Sequence, residues 1–314
     1  MKNNLILKYI GYGLGLLSFY YIYLAIRDSE LNWSVVQASI QGYDYLLLLL
    51  SLMFYIGVMF IGSVLWAWFI KTSSPEQNTK IRSLILVHAK SNLAKYLPGN
   101  FMHLIGRNVL GGQMGYKNSK IFLATLFEMF YLVATGFLII FFMYINGMTQ
   151  IHLNSMFLQN NLSQILVLSF AVIFIMLLVL FRNKIISLIR SYNLKGQIIK
   201  TWILASSGYI IAYLFLGISN LFLFAVLTDN SIEYMDYTNI LFVYVISWLL
   251  GFIVPGPPGG LGVREAIYIL LLSSHYDLLI VTTLALLLRL MNILGDILYF
   301  FISMALFNKS NNTN

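Results

Sequence analysis

Long apolar segments limit most strongly what this chain can fold into. A helix needs roughly 20 apolar residues to cross a bilayer, and six segments approach or exceed that length. They lie at about residues 8–26, 45–70, 121–145, 162–181, 202–227 and 278–307. Only 10% of the 314 residues are charged, whereas soluble domains contain about a quarter. We therefore predict an all-α polytopic membrane protein that forms a single domain, in which these six segments are full transmembrane helices.

Two further apolar regions are interrupted by proline and glycine. The stretch from Ser83 to Gly112 contains KYLPGN, and the stretch from Ile240 to Ser273 contains VPGPPGGLG. Such a break cannot face lipid, because its backbone N–H and C=O groups would lack partners there. We predict two re-entrant hairpins, each made of two half-length helices joined at a break. The residues of the breaks are Pro98, Gly99, Pro255, Gly256, Pro257, Pro258, Gly259, Gly260 and Gly262.

The positive charges are concentrated on one set of connecting segments. Sixteen of the 19 Lys and Arg residues lie before the first predicted span, between the second and third, after the fourth or after the sixth. The opposite segments carry seven acidic residues and one base, Arg27. Under the positive-inside rule, both termini are predicted to be cytoplasmic. The same rule accounts for the formal net charge of +8 without a nucleic-acid partner.

The two interrupted regions occupy equivalent places in the two halves of the chain. Each follows one predicted span and precedes another, so residues 44–145 and 200–307 form candidate repeats. The first interrupted region would start from the cytoplasm and the second from the outside, which is the inverted-repeat plan of many transporters. Residues 308–314 form a polar tail.

An arginine follows each break at the same distance. Arg107 lies nine positions after Pro98, and Arg264 lies nine positions after Pro255. The N-termini of half-helices carry positive partial charge, and arginine binds phosphate through two parallel hydrogen bonds. We interpret the two arginines as a capture site for an anionic headgroup, reached from opposite sides of the membrane. In the alternative interpretation, the breaks are structural kinks and the arginines extend to the interface.

Charged residues also lie inside two predicted spans. Glu128 is inside the third span, and the sixth contains Arg289, Asn292 and Asp296 at spacings that place them on one helical face. A charge in the bilayer is costly unless it is paired or hydrated, so such residues are functional candidates. The alternative is a structural salt bridge of Arg289 with Asp296 or Glu128. Both interpretations predict that these side chains face the interior of the bundle.

These motifs resemble a known family. KYLPGNFMHLIGR at residues 95–107 and PGPPGGLGVREA at residues 255–266 are similar to the two signatures of the transmembrane, flippase-like region of lysylphosphatidylglycerol synthases. That family also tends to keep a Glu and an Arg where this chain has Glu128 and Arg289. The resemblance covers essentially the whole chain. It implies transmembrane movement of a lipid with a polar or anionic headgroup, such as an aminoacylated phospholipid or a polyprenyl-phosphate-linked glycan.

The leading hypothesis is therefore a lipid translocase in the cytoplasmic membrane of a bacterium, with membrane lipids and envelope-biosynthesis enzymes as partners. No aminoacyl-transferase domain follows the sixth span, so synthesis of the lipid is not expected of this chain. The residues expected to bind the headgroup, or to line or gate its path, are Lys95, Arg107, Glu128, Arg264, Glu265, Arg289 and Asp296.

Two other functions stay open at this point. Asp28 and Glu30 could hold a metal in a small membrane glycosyl- or acyltransferase, or the chain could be a non-catalytic subunit for polysaccharide assembly. No cofactor is predicted, because the GGLG run lacks the Lys-Ser/Thr of a nucleotide loop. No resident metal is predicted either, since cysteine is lacking and the four histidines show no ligand spacing.

Overall fold

A computed structural model describes most of the predicted membrane region. The described residues are Tyr20, Tyr23, Leu24 and Arg27 together with 42–74, 80–96, 102–146, 198–228, 234–254 and 258–307. Within them the chain forms eight α-helices and two short 3₁₀ turns, and no strand. The described part of the chain is therefore all-helical, as predicted.

Four of these helices are long and apolar enough to cross a membrane. They are α1 (Asp44–Ser73), α4 (Asn118–Ile145), α5 (Ile198–Leu227) and α8 (Leu278–Phe307). At about 1.5 Å per residue, each is longer than the ~30 Å hydrocarbon core of a bilayer. In α1 an acidic residue occupies the first turn and a lysine the last turn, which suits the helix dipole.

The segments predicted as spans at 45–70, 121–145, 202–227 and 278–307 are thus helices that have the length and composition of a span. The predicted span at 162–181 and the tail at 308–314 lie outside the described residues, and so does most of the span at 8–26.

The first interrupted region consists of two short helices. Helix α2 (Ile81–Asn92) continues into a 3₁₀ turn at Leu93–Tyr96, and helix α3 (Met102–Gln113) follows. With 12 residues each, α2 and α3 are only about 18 Å long. Both helices of this region are therefore about half as long as a membrane span. Pro98 and Gly99 lie outside the described residues.

The second interrupted region has arms of unequal length. Helix α6 (Tyr234–Ile253) has 20 residues, whereas helix α7 (Val263–Leu272) has 10. The prediction that both arms are half-length is wrong for α6, which begins six residues before Ile240. Hydropathy marked only the apolar part of α6, whereas the helix begins earlier, in less apolar sequence.

Glycine conformation explains the second break. A 3₁₀ turn at Pro258–Gly260 connects α6 to α7, and Gly259, Gly260 and Gly262 have φ angles of 60°, 71° and 86°. Residues with a side chain rarely adopt positive φ. At Gly260, a Cβ atom would also lie 2.5 Å from the carbonyl oxygen of Gly251. Pro255, Gly256 and Pro257 are outside the described residues.

The helices of the two halves pack in matching pairs. In the first half α1 contacts α2 and α4, and in the second half α5 contacts α6 and α8. Between the halves, α4 contacts α5 and α6, while α8 contacts α1 and α2. The two 3₁₀ turns also contact each other. Each helix contact thus has a counterpart when α1–α4 are exchanged with α5–α8.

Helices α1 and α5 form the contact between the halves in a reciprocal manner. A Cβ atom on Gly57 of α1 would lie 2.9 Å from the Phe215 ring of α5, and one on Gly208 of α5 would lie 2.8 Å from Leu65 of α1. Because the later residue of α1 faces the earlier residue of α5, the two helices run antiparallel. A glycine in each helix thus makes room for a large side chain of the other helix.

Two buried clusters of apolar side chains surround the polar interior. One contains Tyr213, Phe224 and Phe242, and the other contains Trp66 and Phe69. Lipid tails are as apolar as these side chains, so close packing rather than exclusion from water holds such helices together.

Candidate functional site

A cavity of about 170 Å³ lies where the two halves meet. All eight helices and both 3₁₀ turns contribute residues to its wall. One water molecule needs about 10–15 Å³, so the cavity has room for several waters. Its polar lining residues include His88, Asn92, Lys95, Tyr96, His103, Arg107, Glu128, Arg264, Arg289 and Asn292.

The structure brings all seven predicted site residues to this cavity or directly behind it. Lys95, Arg107, Glu128, Arg264 and Arg289 line the cavity wall. The carboxylates of the other two predicted residues, Asp296 and Glu265, each lie next to one of these lining cations.

Arg107 on α3 is buried and forms an ion pair with Glu128 on α4. Its Nη2 donates a 2.7 Å hydrogen bond to Nε2 of His88 on α2. The same nitrogen lies 3.4 Å from Glu128 Oε1, and Nδ1 of His88 lies 3.2 Å from the Tyr299 hydroxyl. The Trp66 ring is 5.4 Å from the guanidinium carbon. Arg107 is thus neutralised inside the bundle and does not extend to the interface.

Asp296 on α8 is completely buried and surrounded by donors. Lys95 Nζ lies 2.6 Å from its Oδ2, and the Tyr96 hydroxyl donates to the same oxygen. Asn92 Nδ2 donates to Oδ1 at 2.9 Å, and the Tyr55 hydroxyl donates to Oδ1 at 3.1 Å. A buried carboxylate is costly unless it is paired and hydrogen-bonded, and Asp296 is both.

Arg289 on α8 faces the second break. Its Nη1 donates to the carbonyl oxygen of Gly259 at 3.3 Å and lies 3.6 Å from Glu265 Oε1. The other oxygen of Glu265 accepts a 2.8 Å hydrogen bond from the Gly262 N–H and so caps α7. The Tyr96 ring lies 5.8 Å from the Arg289 guanidinium carbon. Arg289 therefore connects α8 with the second break and with the turn after α2.

Arg264 at the start of α7 has a different environment. Its guanidinium carbon lies 4.8 Å from the Trp248 ring. Its Nε is buried without a hydrogen-bond partner, and no ion pair links it to any residue that the structure describes. The side chain crosses Gly251 and Gly260, where added Cβ atoms would lie 3.0 Å and 3.3 Å from Nε. Glycine at both positions therefore makes room for this arginine.

The charges around the cavity do not cancel. Three carboxylates are each next to one cation: Glu128 with Arg107, Asp296 with Lys95, and Glu265 with Arg289. Arg264 is a fourth cation in the same wall. With neutral histidines, this group carries one net positive charge, and that charge is on Arg264.

Two sequence-based alternatives are wrong. The carboxylate beside Arg289 is Glu265, rather than Asp296 or Glu128. Asp296 lies seven positions along the same helix, about 10 Å away along the axis, so Arg289 extends to the neighbouring turn instead. Extension to the interface is also excluded for Arg107, which ends at Glu128 inside the bundle.

Four further residues at the cavity or beside Asp296 were not predicted from the sequence: His88, Asn92, Tyr55 and Tyr96. The sequence pattern around α2 does indicate His88 and Asn92, because His88, Asn92 and Lys95 follow each other at spacings of four and three. These spacings place polar residues on one face of an apolar helix. No pattern identifies Tyr55 and Tyr96, because their partner Asp296 is distant in the sequence.

Within the described ranges, no group of three or more His, Cys, Asp and Glu residues is arranged to hold a metal ion. Asp28 and Glu30, the acids of the transferase alternative, lie outside those ranges. The chain matches no known protein family and no curated protein.

Proposed function

We propose that this chain translocates a lipid with an anionic or polar headgroup across the cytoplasmic membrane of a bacterium, with both of its termini on the cytoplasmic side. The headgroup would pass through the cavity between the two halves, while the acyl chains stay in the surrounding lipid. This proposal agrees with the resemblance to the flippase-like region of lysylphosphatidylglycerol synthases.

The position of Arg264 carries the proposal. A charged residue in a membrane-embedded bundle is expensive and therefore rare, unless it is paired or has a function. Arg264 lines the cavity without a carboxylate partner among the described residues. The Trp248 ring offsets part of this cost, but no described carboxylate lies within ion-pair distance of the guanidinium group. A ligand that brings a negative charge into the cavity accounts for the rest of this cost.

The transport geometry that we propose consists of two re-entrant hairpins in an inverted repeat. The short arms α2, α3 and α7 support re-entry, because each is too short to cross a bilayer. The paired helix contacts and the antiparallel contact of α1 with α5 support the repeat. In such transporters the substrate binds near the midplane between the repeats, at discontinuous helices.

Six of the seven charged site residues have a direct role in this scheme. Arg264 binds the phosphate of the headgroup, and Lys95 attracts it from the cytoplasmic side. Ion pairs of Arg107 with Glu128, and of Arg289 with Glu265, close the path and rearrange when the headgroup passes. Movement is passive or coupled to an ion.

The test is lipid scrambling in vesicles that contain the purified protein and phosphatidylglycerol with a fluorescent acyl chain. A membrane-impermeant reductant bleaches only the outer leaflet, so loss of the protected inner pool reports translocation. We expect faster translocation than in protein-free vesicles. Arg264→Ala and Arg289→Ala should reduce it to the protein-free rate, because both arginines face the passing phosphate.

The matched control is Arg82→Ala, which removes an exposed arginine of α2 that is not part of the cavity wall. This variant should translocate lipid at the wild-type rate. Equal rates in protein-free and protein-containing vesicles, for phospholipids and for polyprenyl phosphates, would rule out the proposed function. Unchanged rates in both cavity variants would rule out the proposed site.

A further inference from the structure

The negative charge of every described carboxylate around the cavity is already compensated by a neighbouring cation. Each of Glu128, Asp296 and Glu265 already lies beside a lysine or arginine. Asp296 also accepts three hydrogen bonds from neutral donors, and Glu265 also caps α7. An ammonium group that enters the cavity therefore meets no carboxylate, among those described, that lacks a cation.

The donors around the cavity, in contrast, have unused capacity. The Nε atoms of Arg107 and Arg264 are buried without a hydrogen-bond partner, and so are Nε and Nη2 of Arg289. A guanidinium group has five N–H donors and no acceptor, so only an acceptor atom can satisfy them. Water can accept from these groups, but only an anion can also compensate the net charge of Arg264.

From this asymmetry we infer that the lipid headgroup is a phosphodiester anion that carries no fixed positive charge. This inference rests on the proposed function and narrows its substrate class. A phosphodiester carries one negative charge, which matches the one net positive charge of the cavity wall. Its two non-bridging oxygens also suit the planar donor edge of a guanidinium group.

Aminoacylated phospholipids are disfavoured by the same charges. A lysyl ester adds two ammonium groups to phosphatidylglycerol and turns the headgroup from an anion into a cation. These ammonium groups would be buried beside Arg264 without a carboxylate to compensate them, which is strongly unfavourable. Phosphatidylethanolamine, with one phosphate and one ammonium group, should bind with intermediate affinity.

The inference is tested by competition binding in detergent micelles, followed by native mass spectrometry of the intact protein. Phosphatidylglycerol, phosphatidylethanolamine and lysyl-phosphatidylglycerol with identical acyl chains share one phosphodiester and differ in ammonium groups. A glucosyl diacylglycerol serves as the lipid without phosphate. We expect phosphatidylglycerol to be preferred over lysyl-phosphatidylglycerol by about tenfold or more, the effect of one charge-assisted interaction.

Variants assign this preference to Arg264. Arg264→Gln should bind phosphatidylglycerol and phosphatidylethanolamine equally, whereas Arg264→Lys should keep the order of preference because it keeps the charge. Arg82→Gln, at an exposed arginine outside the cavity wall, should behave as wild type. A single symmetric gel-filtration peak for every variant shows that a lost preference is not caused by misfolding.

Three outcomes would overturn the inference: equal or stronger binding of lysyl-phosphatidylglycerol, equal binding of the glucosyl lipid, or an unchanged preference in Arg264→Gln. Competition by glycerol phosphate at lipid concentrations would assign the site to a soluble phosphate and overturn the lipid assignment. Translocation is judged separately in vesicles. If Arg264-dependent binding occurs without scrambling, the proposed function fails and only the binding preference for an anionic phosphodiester stands. If the protein scrambles lipid but favours the cationic lipid, the proposed function stands and the inference fails.

Discussion

Arg107 and Arg264 occupy the same place in the two halves of the chain, nine residues after the first proline of each break, yet their environments differ. Arg107 is buried between Glu128 and His88. Glu128 forms an ion pair with it, and His88 Nε2 accepts a hydrogen bond from its Nη2. Arg264 lies over Trp248 with no carboxylate partner among the described residues.

The two arginines therefore differ electrostatically, although the helix contacts of the two halves match. An arginine in an ion pair stabilises the bundle only as part of that pair, since neither charge can be buried alone. An arginine without a partner brings a desolvation cost that the folded chain does not recover. Each cation of the first half therefore lies next to a carboxylate, Lys95 by pairing with Asp296 of the second half, whereas Arg264 has no carboxylate within ion-pair distance among the described residues.

The largest expected effect is on stability. Arg107→Met leaves the Glu128 carboxylate buried without its cation, which should lower the free energy of unfolding by about 3–5 kcal/mol. Arg264→Met leaves no described charge without a partner. Its loss of the contact with Trp248, about 2 kcal/mol, is offset by the desolvation cost that is removed. Thermal unfolding in detergent should therefore show a large drop for Arg107→Met and none for Arg264→Met.

The control for this prediction is the double variant Arg107→Met with Glu128→Gln. It removes both charges and should recover most of the stability, since the penalty comes from the carboxylate that is left alone. Equal destabilisation by Arg107→Met and Arg264→Met would mean that Arg264 has a structural partner, and the contrast between the halves would be lost.

A smaller effect, on lipid preference, is expected when one methyl group is added at Gly251. Gly251→Ala places a Cβ atom 3.0 Å from Arg264 Nε and even closer to its Cγ, so the guanidinium has to move. The preference for phosphatidylglycerol over lysyl-phosphatidylglycerol should fall by about tenfold, as when a charge-assisted contact is lost. The competition assay with native mass spectrometry measures this change.

Gly62→Ala is the matched control for Gly251→Ala. Gly62 also lines the cavity, on α1, but its nearest neighbour would be Glu128 Oε1 at an ordinary 3.9 Å. Lipid preference should stay at the wild-type level in this variant. If Gly62→Ala and Gly251→Ala lose the preference alike, cavity volume rather than the position of Arg264 determines it.

The sequence predicted the long helices well, because lipid leaves few ways to satisfy a backbone. The predicted span at 278–307 has the same bounds as α8. The start of α6 was missed for a related reason: hydropathy reports which residues suit lipid, whereas a helix can begin earlier in polar residues. The second break was recognised because backbone positions with positive φ favour glycine, and glycines are visible in the sequence.

The charged residues that lie around the cavity were recognised in the sequence, but the way they pair was not. A charge in an apolar segment is conspicuous, so Glu128, Arg289 and Asp296 could be found one by one. Their partners come from other helices, and Lys95 beside Asp296 is an example that no local spacing indicates. The tyrosines around Asp296 were equally hidden, since the chain has 21 tyrosines and many suit a membrane interface.

The smallest expected effect concerns the ion pair of Arg289 with Glu265, and it sharpens the contrast between the halves. Glu265→Gln keeps an acceptor for the Gly262 N–H but removes the charge 3.6 Å from Arg289. The second half then has two uncompensated arginines, so phosphatidylglycerol should bind a few-fold more tightly, roughly as expected for one partly hydrated charge pair. Stability should fall by less than the ~3–5 kcal/mol expected for Arg107→Met, because the Arg289–Glu265 contact is longer, at 3.6 Å, and Arg289 lines the cavity. Glu265→Ala also removes the cap and should cost about 1–2 kcal/mol more than Glu265→Gln, which separates capping from charge. Weaker phosphatidylglycerol binding in Glu265→Gln would show that Glu265 positions Arg289 for the ligand rather than neutralising it, and the available charge would then belong to the whole group around the second break instead of to Arg264.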